Sequence, residues 1–545
     1  MKMRTGAENL IFWGAGATAT MGQRPTGKQG ELIHKLVGKD KTIKLKERVE
    51  NALYSPQWTD VFVDLLCILG DDVNDDNQND IYYISKPARE AMKKHWEEQT
   101  DSAIEQRIHF LRSQFDWSAL KEIVRVCPNF LEEKLFQITD VFNIIDMHRQ
   151  SKHGFPVENG FLPLHRIASA RAALELILQT TFYIDWQTCL TDKKLELDKH
   201  LRFASLLTEH HQNKGLELVA EKKPFDSRDF YLGDIAFVSL NYDPIALWAQ
   251  FVANRDANLK PPCIGFPSTP LKIFHDFGIF MAVSTIADNN QKERLWYPMN
   301  EASAQRLNDT DHNTRRVRIN KFLFPHGCLC WRECPSCGKL GAYMGKHWDI
   351  DSKALFLPPP LRGFVQWDES LLRPEEEEKE AWQRGEVDAR ACVFCGVLTY
   401  AQHTQTVMQS NFKEPPPPFI EEVQRDLRVA VQSAEHIILM GYSLPPDDVT
   451  YRAFFAARKQ HGNNVKCSVV VDINYGDKWH YRDEIDDLLE NMEKPCEAPK
   501  TTLESARALF GKDNVRFYGG GIPQVFCDGD IASKSKFEQL INWDI

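Results

Sequence analysis

A chain of 545 residues with 43% hydrophobic and 26% charged residues has the composition of an ordered globular protein, long enough for one elaborated domain or about three ordinary ones. Its 66 Lys and Arg against 77 Asp and Glu leave a formal charge of -11, which repels phosphate backbones and argues against direct nucleic-acid binding. The first residues lack the pattern of a secretory signal, no apolar run approaches the roughly 18 residues of a membrane helix, and 13 cysteines spread over the chain do not read as a disulfide framework. A reducing, cytoplasmic setting away from membranes is expected.

Short apolar, β-rich runs beside Gly or Asp alternate with helical patterns along the chain. In order they are NLIFWGAG near residue 10, DIAFVSLNYD at 234–243, NKFLFPHG ending at Gly327, HIILMGYSL from His436, KCSVVVDIN ending at Asn474 and VRFYGGG from Val515. Runs of this kind, buried on both faces, predict strands of a parallel sheet. Between about 90 and 225 the pattern turns helical, with Ile104, Ile108 and Leu111, then Leu174, Ile177 and Leu178, at helical spacing and no strand between. The segment 338–391, with its LPPPL and PEEEEKE runs, reads as an irregular excursion whose acidic run is a solvated face. Pro415 to Pro418 read as a stiff spacer before an amphipathic helix carrying Ile420, Val423, Leu427 and Val431. The expected fold class is α/β: a Rossmann-like, doubly wound parallel sheet with a helical insertion and a small zinc-ribbon-like module. Its core would comprise 1–90, 231–330 and 401–545, interrupted by the helical insertion at 91–230 and a zinc-binding module at 331–400.

Five segments could carry chemistry. In FWGAGATATMG, Gly14 and Gly16 let the backbone turn sharply after a strand and approach a pyrophosphate, with Ala15 and Thr18 in the same loop; Ala19 stands where a dehydrogenase fingerprint has its third Gly. In SLNYD, Asn241 can orient a water or a ribose hydroxyl and Asp243 can accept from an amide. His326 follows another strand and can titrate near neutral pH as a general base. Cys334 and Cys337, with Cys392 and Cys395, form two C-x-x-C knuckles that together offer four thiolates to a structural zinc, Cys328 and Cys330 being competing ligands. Gly441 and Ser443 in MGYSLPPDD, and Asn474 in VVVDINYGD, stand at strand ends where a ribose and an adenine can be lined. Each of these loops is, taken singly, also an ordinary turn.

In their order along the chain, the Gly-Ala-Gly loop, Asn-x-Asp strand end, His-Gly, two C-x-x-C knuckles and Gly-x-Ser-Leu strand end resemble the sirtuin superfamily. The resemblance spans roughly 10–530. It implies that Gly14, Ala15 and Gly16 hold the phosphates of NAD, that Asn241 and Asp243 lie at its nicotinamide ribose and carboxamide, and that His326 is the general base. Deacylating sirtuins follow the loop with a Gly-Ile-Pro-Asp-Phe-Arg type segment and carry Phe-Gly-Glu after the second knuckle. Here those stretches read QRPTGKQGEL and TVMQSNFKEPPPP. The chain is therefore more similar to the divergent bacterial branch, some of whose members destroy NAD in antiphage defence. The expected activity is NAD glycohydrolysis to nicotinamide and ADP-ribose. The alternatives are NAD-dependent protein deacylation, which the zinc module favours, and a non-catalytic nucleotide sensor or interaction subunit. The helical insertion is large enough to serve as an interface for a homo-oligomer or an activating partner.

Overall fold

A computed structural model of the chain describes residues 6–24, 115–130, 132, 135–157, 160–259, 271–276, 300–310, 316–333, 340–342, 406–407, 410, 412, 416–445, 448–460, 465–491 and 497–545. Cys334, Cys337, Cys392 and Cys395, the repeat Ile104, Ile108 and Leu111, and the LPPPL and PEEEEKE runs lie outside the described residues.

The strands in chain order are β1 (Asn9–Trp13), β2 (Phe155–Val157), β3 (Gly160–Leu162), β4 (Ile235–Ser239), β5 (Leu271–Asp276), β6 (Arg316–Leu323) and β7 (Trp331–Glu333). They continue with β8 (Leu340–Ala342), β9 (His436–Met440), β10 (Lys466–Val470), β11 (Asp472–Tyr481), β12 (Val515–Gly520), β13 (Cys527–Asp528) and β14 (Ile531–Ala532). One sheet has the order β11-β12-β10-β9-β1-β4-β6-β5, in which the edge strand β11 is antiparallel to β12 and the other pairings are parallel. The chain builds β4, β6 and β5 on one side of β1 and then returns to lay β9, β10 and β12 on the other, so the strand order reverses beside β1.

The central position of β1 follows from its composition. Leu10 to Trp13 are buried, as are all of β4 and β9, and a strand buried on both faces needs a layer on each. Phe12 turns to one layer, its ring 5.3 Å from Phe455, which in turn lies 5.2 Å from Phe510. These two rings come from the helices Val449–Gln460 and Glu497–Phe510. The next residue, Trp13, turns the other way and stacks on Phe203 at 6.0 Å. Two adjacent residues of a strand thus mark helices on both faces, which makes the sheet doubly wound.

The stretch 117–231 is mainly helical, and the two long helices α1 (Leu164–Asp192) and α2 (Lys194–Ala220) dominate it. Leu174, Ile177 and Leu178 are buried in α1, as their spacing predicts. The hairpin β2–β3 interrupts this region, contrary to expectation, because strands of three residues are too short to show a period of two. Pro417 and Pro418 are not a free spacer: Pro417 caps and Pro418 opens α3 (Pro418–Ser433), where a missing N–H costs nothing. Ile420, Val423, Leu427 and Val431 are buried along it, as expected. The run expected to end in a loop at Asn474 instead breaks at Val471 and continues as β11, which pairs irregularly with β12 between Asp472 and Trp479.

The C-terminal helix Lys534–Ile541 is fastened by a buried cation. Arg516 on β12 donates to the carbonyls of Gln539 at 2.6 Å, Leu540 at 2.9 Å and Asn542 at 3.2 Å, and to Ser468 Oγ at 2.7 Å. Its guanidinium also lies 4.1 Å from the Trp479 ring and 5.1 Å from the Trp543 ring. Those carbonyls belong to the unpaired end of a helix and lose their donor if the fork is removed. Arg516→Leu is expected to lower stability by about 3 kcal/mol, the cost of several buried acceptors left unpaired, and to open 533–545 to limited proteolysis. A denaturant titration with an unchanged midpoint would show that apolar contacts alone hold the tail.

Candidate functional site

The end of β1 leads into a short helical loop, 15–19, whose geometry depends on glycine. Gly14 donates its N–H to the Met440 carbonyl at 2.9 Å and Gly16 donates to the Gly441 carbonyl at 3.0 Å. A Cβ on Gly16 would lie 2.9 Å from the Gly441 oxygen and 3.0 Å from its Cα, and one on Gly14 would strike the same backbone. Gly441 itself has φ +61 and packs against the backbone of Gly16 and Ala17. The room that these glycines make is filled by the facing strand end, so substitution at Gly16 disturbs this contact before it reaches any ligand. The open edge of the loop is formed by half-buried Ala15 and exposed Gly16.

Asn241 holds the loop from the neighbouring strand end. Its Nδ2 donates to the Gly14 carbonyl at 3.2 Å and to Thr18 Oγ1 at 3.1 Å, while Thr18 Oγ1 donates to the Ala15 carbonyl at 3.3 Å. A carbonyl cannot donate, so this network fixes which way the amide faces. Both amide protons are thereby committed, and Oδ1 is the atom through which Asn241 can orient a ligand.

His326 stands in the buried turn after β6. Its Nδ1 lies 3.2 Å from the Leu240 carbonyl, which places the proton on Nδ1 and the lone pair on Nε2. The rings of Tyr242 and Tyr451 lie 6.1 and 5.4 Å away. Residues 406 and 407 cross this turn: the Val407 N–H donates to the His326 carbonyl at 2.8 Å, and Tyr242 Oη donates to the Val407 carbonyl at 3.2 Å. Asp243 is buried beside them and accepts the Ile245 N–H at 3.1 Å in a turn that starts the helix Ile245–Leu259. Burial pushes its carboxyl up from 3.8 to about 6, against the pull of that hydrogen bond. Cys328 and Cys330 follow, both buried, with their sulfurs 3.4 Å apart; burial and the neighbouring thiol hold Cys328 protonated far above the usual thiol range.

Gly14, Ala15, Gly16, Thr18, Asn241, Asp243, His326 and Gly441 therefore gather at the carboxyl ends of β1, β4, β6 and β9. Ser443 is exposed beyond β9, and its carbonyl accepts from Thr502 Oγ1 at 3.0 Å. Asn474 lies within β11 rather than in a loop after β10. Among the described residues no group of three or more His, Cys, Asp or Glu forms a metal site. No described helix is long and apolar enough to cross a membrane. Tyr242, Tyr451 and Val407 went unnoticed in the sequence, since no spacing links an aromatic or a valine to a histidine 81 to 125 residues away. Comparison with protein-family models gives no match for this chain, and comparison with curated proteins gives none.

The Asp243 carboxyl provides a direct test of this buried environment. Its folded-state value lies above the ordinary one, so its contribution to stability is fully present below pH 3.8 and is lost as pH rises through about 6. Asp243→Asn keeps the oxygen that accepts from Ile245 and removes the charge. The variant is expected to exceed the parent in stability at pH 8 by up to about 3 kcal/mol, at roughly 1.4 kcal/mol per pH unit between those values. The gap should close toward pH 4 in a series of denaturant titrations; a gap independent of pH would mean that the carboxylate is well solvated.

Proposed function

We propose that the chain is a sirtuin-like enzyme that hydrolyses the nicotinamide–ribose bond of NAD, giving nicotinamide and ADP-ribose, in a role such as antiphage defence. One observation carries the reading: the glycine loop, the Asn241–Asp243 strand end and the His326 turn, distant in sequence, converge where the strand order reverses. In open α/β sheets that crevice is where ligands bind. The glycine loop offers its open edge at Ala15 and Gly16 to the phosphates, and Gly441 borders the same loop from the end of β9.

The chemistry asks for a held ribose, a placed water and a base. The bond from ribose C1′ to nicotinamide breaks, its electron pair leaves with the neutral nicotinamide, and the oxygen of water bonds to C1′. Asn241 Oδ1 accepts from that water or from a ribose hydroxyl, and the water's proton passes to His326 Nε2. Asp243, its carboxyl raised by burial to about 6 and so still mainly ionised at neutral pH, meets the carboxamide as an acceptor. Cys334, Cys337, Cys392 and Cys395 would hold one structural zinc: four soft thiolates suit a closed tetrahedral site, and β7 and β8 pair antiparallel on either side of the first knuckle. Such a site has no open position and stands apart from the reaction.

Two measurements test the proposal. Freshly purified, untagged protein is expected to contain about one zinc per chain, lost together with solubility in Cys334→Ser, as a metal coupled to folding requires; elemental analysis without zinc removes the module. Incubation with NAD should yield nicotinamide and ADP-ribose without any peptide, after activation where the isolated chain is silent. An obligatory acetylated peptide and an acetylated ADP-ribose product would instead establish deacylation. Asn241→Ala and His326→Ala, checked for folding, should each lose about 10² to 10⁴ in rate, as removal of an orienting amide or a base does. Full activity in both folded variants would locate the site elsewhere.

A further inference from the structure

The glycine loop is tied at its far end to the helical region. Asp185 is buried on α1, about two turns before its end and beyond the reach of the helix dipole. Its Oδ2 accepts the Arg24 N–H at 2.9 Å, and its Oδ1 lies 3.2 Å from Arg24 Nε. Beside this pair, the Gln23 side-chain amide donates to the Phe182 carbonyl at 3.5 Å, and His200 Nε2 on α2 lies 3.3 Å from the Ala17 carbonyl. A buried carboxylate is costly unless it is paired and hydrogen-bonded. Here the pairing joins a helix to the chain just past the candidate phosphate loop.

We propose that Asp185 is a positioning residue for the loop Gly14–Arg24, acting through the backbone and guanidinium of Arg24 to hold Ala15 and Gly16 where a pyrophosphate-bearing ligand meets them. The choice of NAD as that ligand rests on the preceding functional reading; the tether itself does not. The tether sets the geometry of a loop that Asn241 holds from the sheet and that Asp185 holds from the helices, so a shift of α1 is passed to the site.

Hydrogen exchange on the ligand-free full chain, with NAD binding and turnover on the same samples, separates the two claims. In Asp185→Ala, peptides covering 14–24 should exchange about tenfold faster, the loss of roughly 1.4 kcal/mol of local protection, while peptides from 164–220 keep their protection. The KM for NAD should rise with little change in kcat. Asp185→Asn retains an oxygen for the Arg24 N–H and should recover most of both effects. Unchanged exchange in 14–24 overturns the inference, as does protection lost evenly across α1 and α2, which would make Asp185 only a structural residue of the helices. If the loop loosens but the parent protein neither binds nor cleaves NAD, the tether stands and the NAD reading fails.

Discussion

The contact on which the site depends is between two backbones. β1 and β9 run parallel with Trp13 opposite Met440, so Gly14 and Gly441 necessarily meet at the next step. Side chains at Gly14, Gly16 or Gly441 would force these strand ends apart, and Gly441 also occupies a left-handed conformation that L-residues rarely adopt. The strand order reverses here, the place in open α/β sheets where the connections on either side part. The amide of Asn241 then meets the Gly14 carbonyl, and the rest of the loop follows.

Beyond that contact, the environment is apolar with a few buried polar groups. Asp243, Cys328 and Cys330 are buried within the turn system of Tyr242 and His326, and burial raises the acids Asp243 and Cys328 toward protonation. Fixed dipoles in such surroundings act on developing charge more strongly than they would in water, because little solvent remains to screen them. The Val407 N–H holds the His326 backbone at its carbonyl, while the Leu240 carbonyl holds the imidazole at Nδ1.

Helices contribute more than cover. α2 supplies Phe203 to the Trp13 face of the sheet and His200 to the loop, while α1 supplies Asp185. The opposite face is closed by Phe455 and Phe510, and the chain's last helix is locked by Arg516. The candidate site therefore lies where both helical layers and the sheet are mutually constrained.

Much of this was legible in local sequence. NLIFW, IAFVS, HIILM and VRFYGG announced buried parallel strands because continuous apolar runs beside glycine have few other uses, and Leu174, Ile177 and Leu178 announced a helix by their spacing. β2 and β3 escaped notice because strands of three residues show no period, and the continuation of the chain as β11 because DINYGD, rich in turn residues, reads as a turn. Sequence also singled out Gly14, Gly16, Asn241, Asp243 and His326, since each ends a recognisable strand. What only the tertiary structure decided is what these residues touch: Gly16 meets the backbone of Gly441, Asn241 commits both amide protons to the loop, Asp243 loses solvent, and Asp185 reaches Arg24 across 161 positions. Local periodicity encodes which residues face a core, whereas hydrogen-bond partners and desolvation depend on segments brought together from far along the chain, and no pattern within a single segment records them.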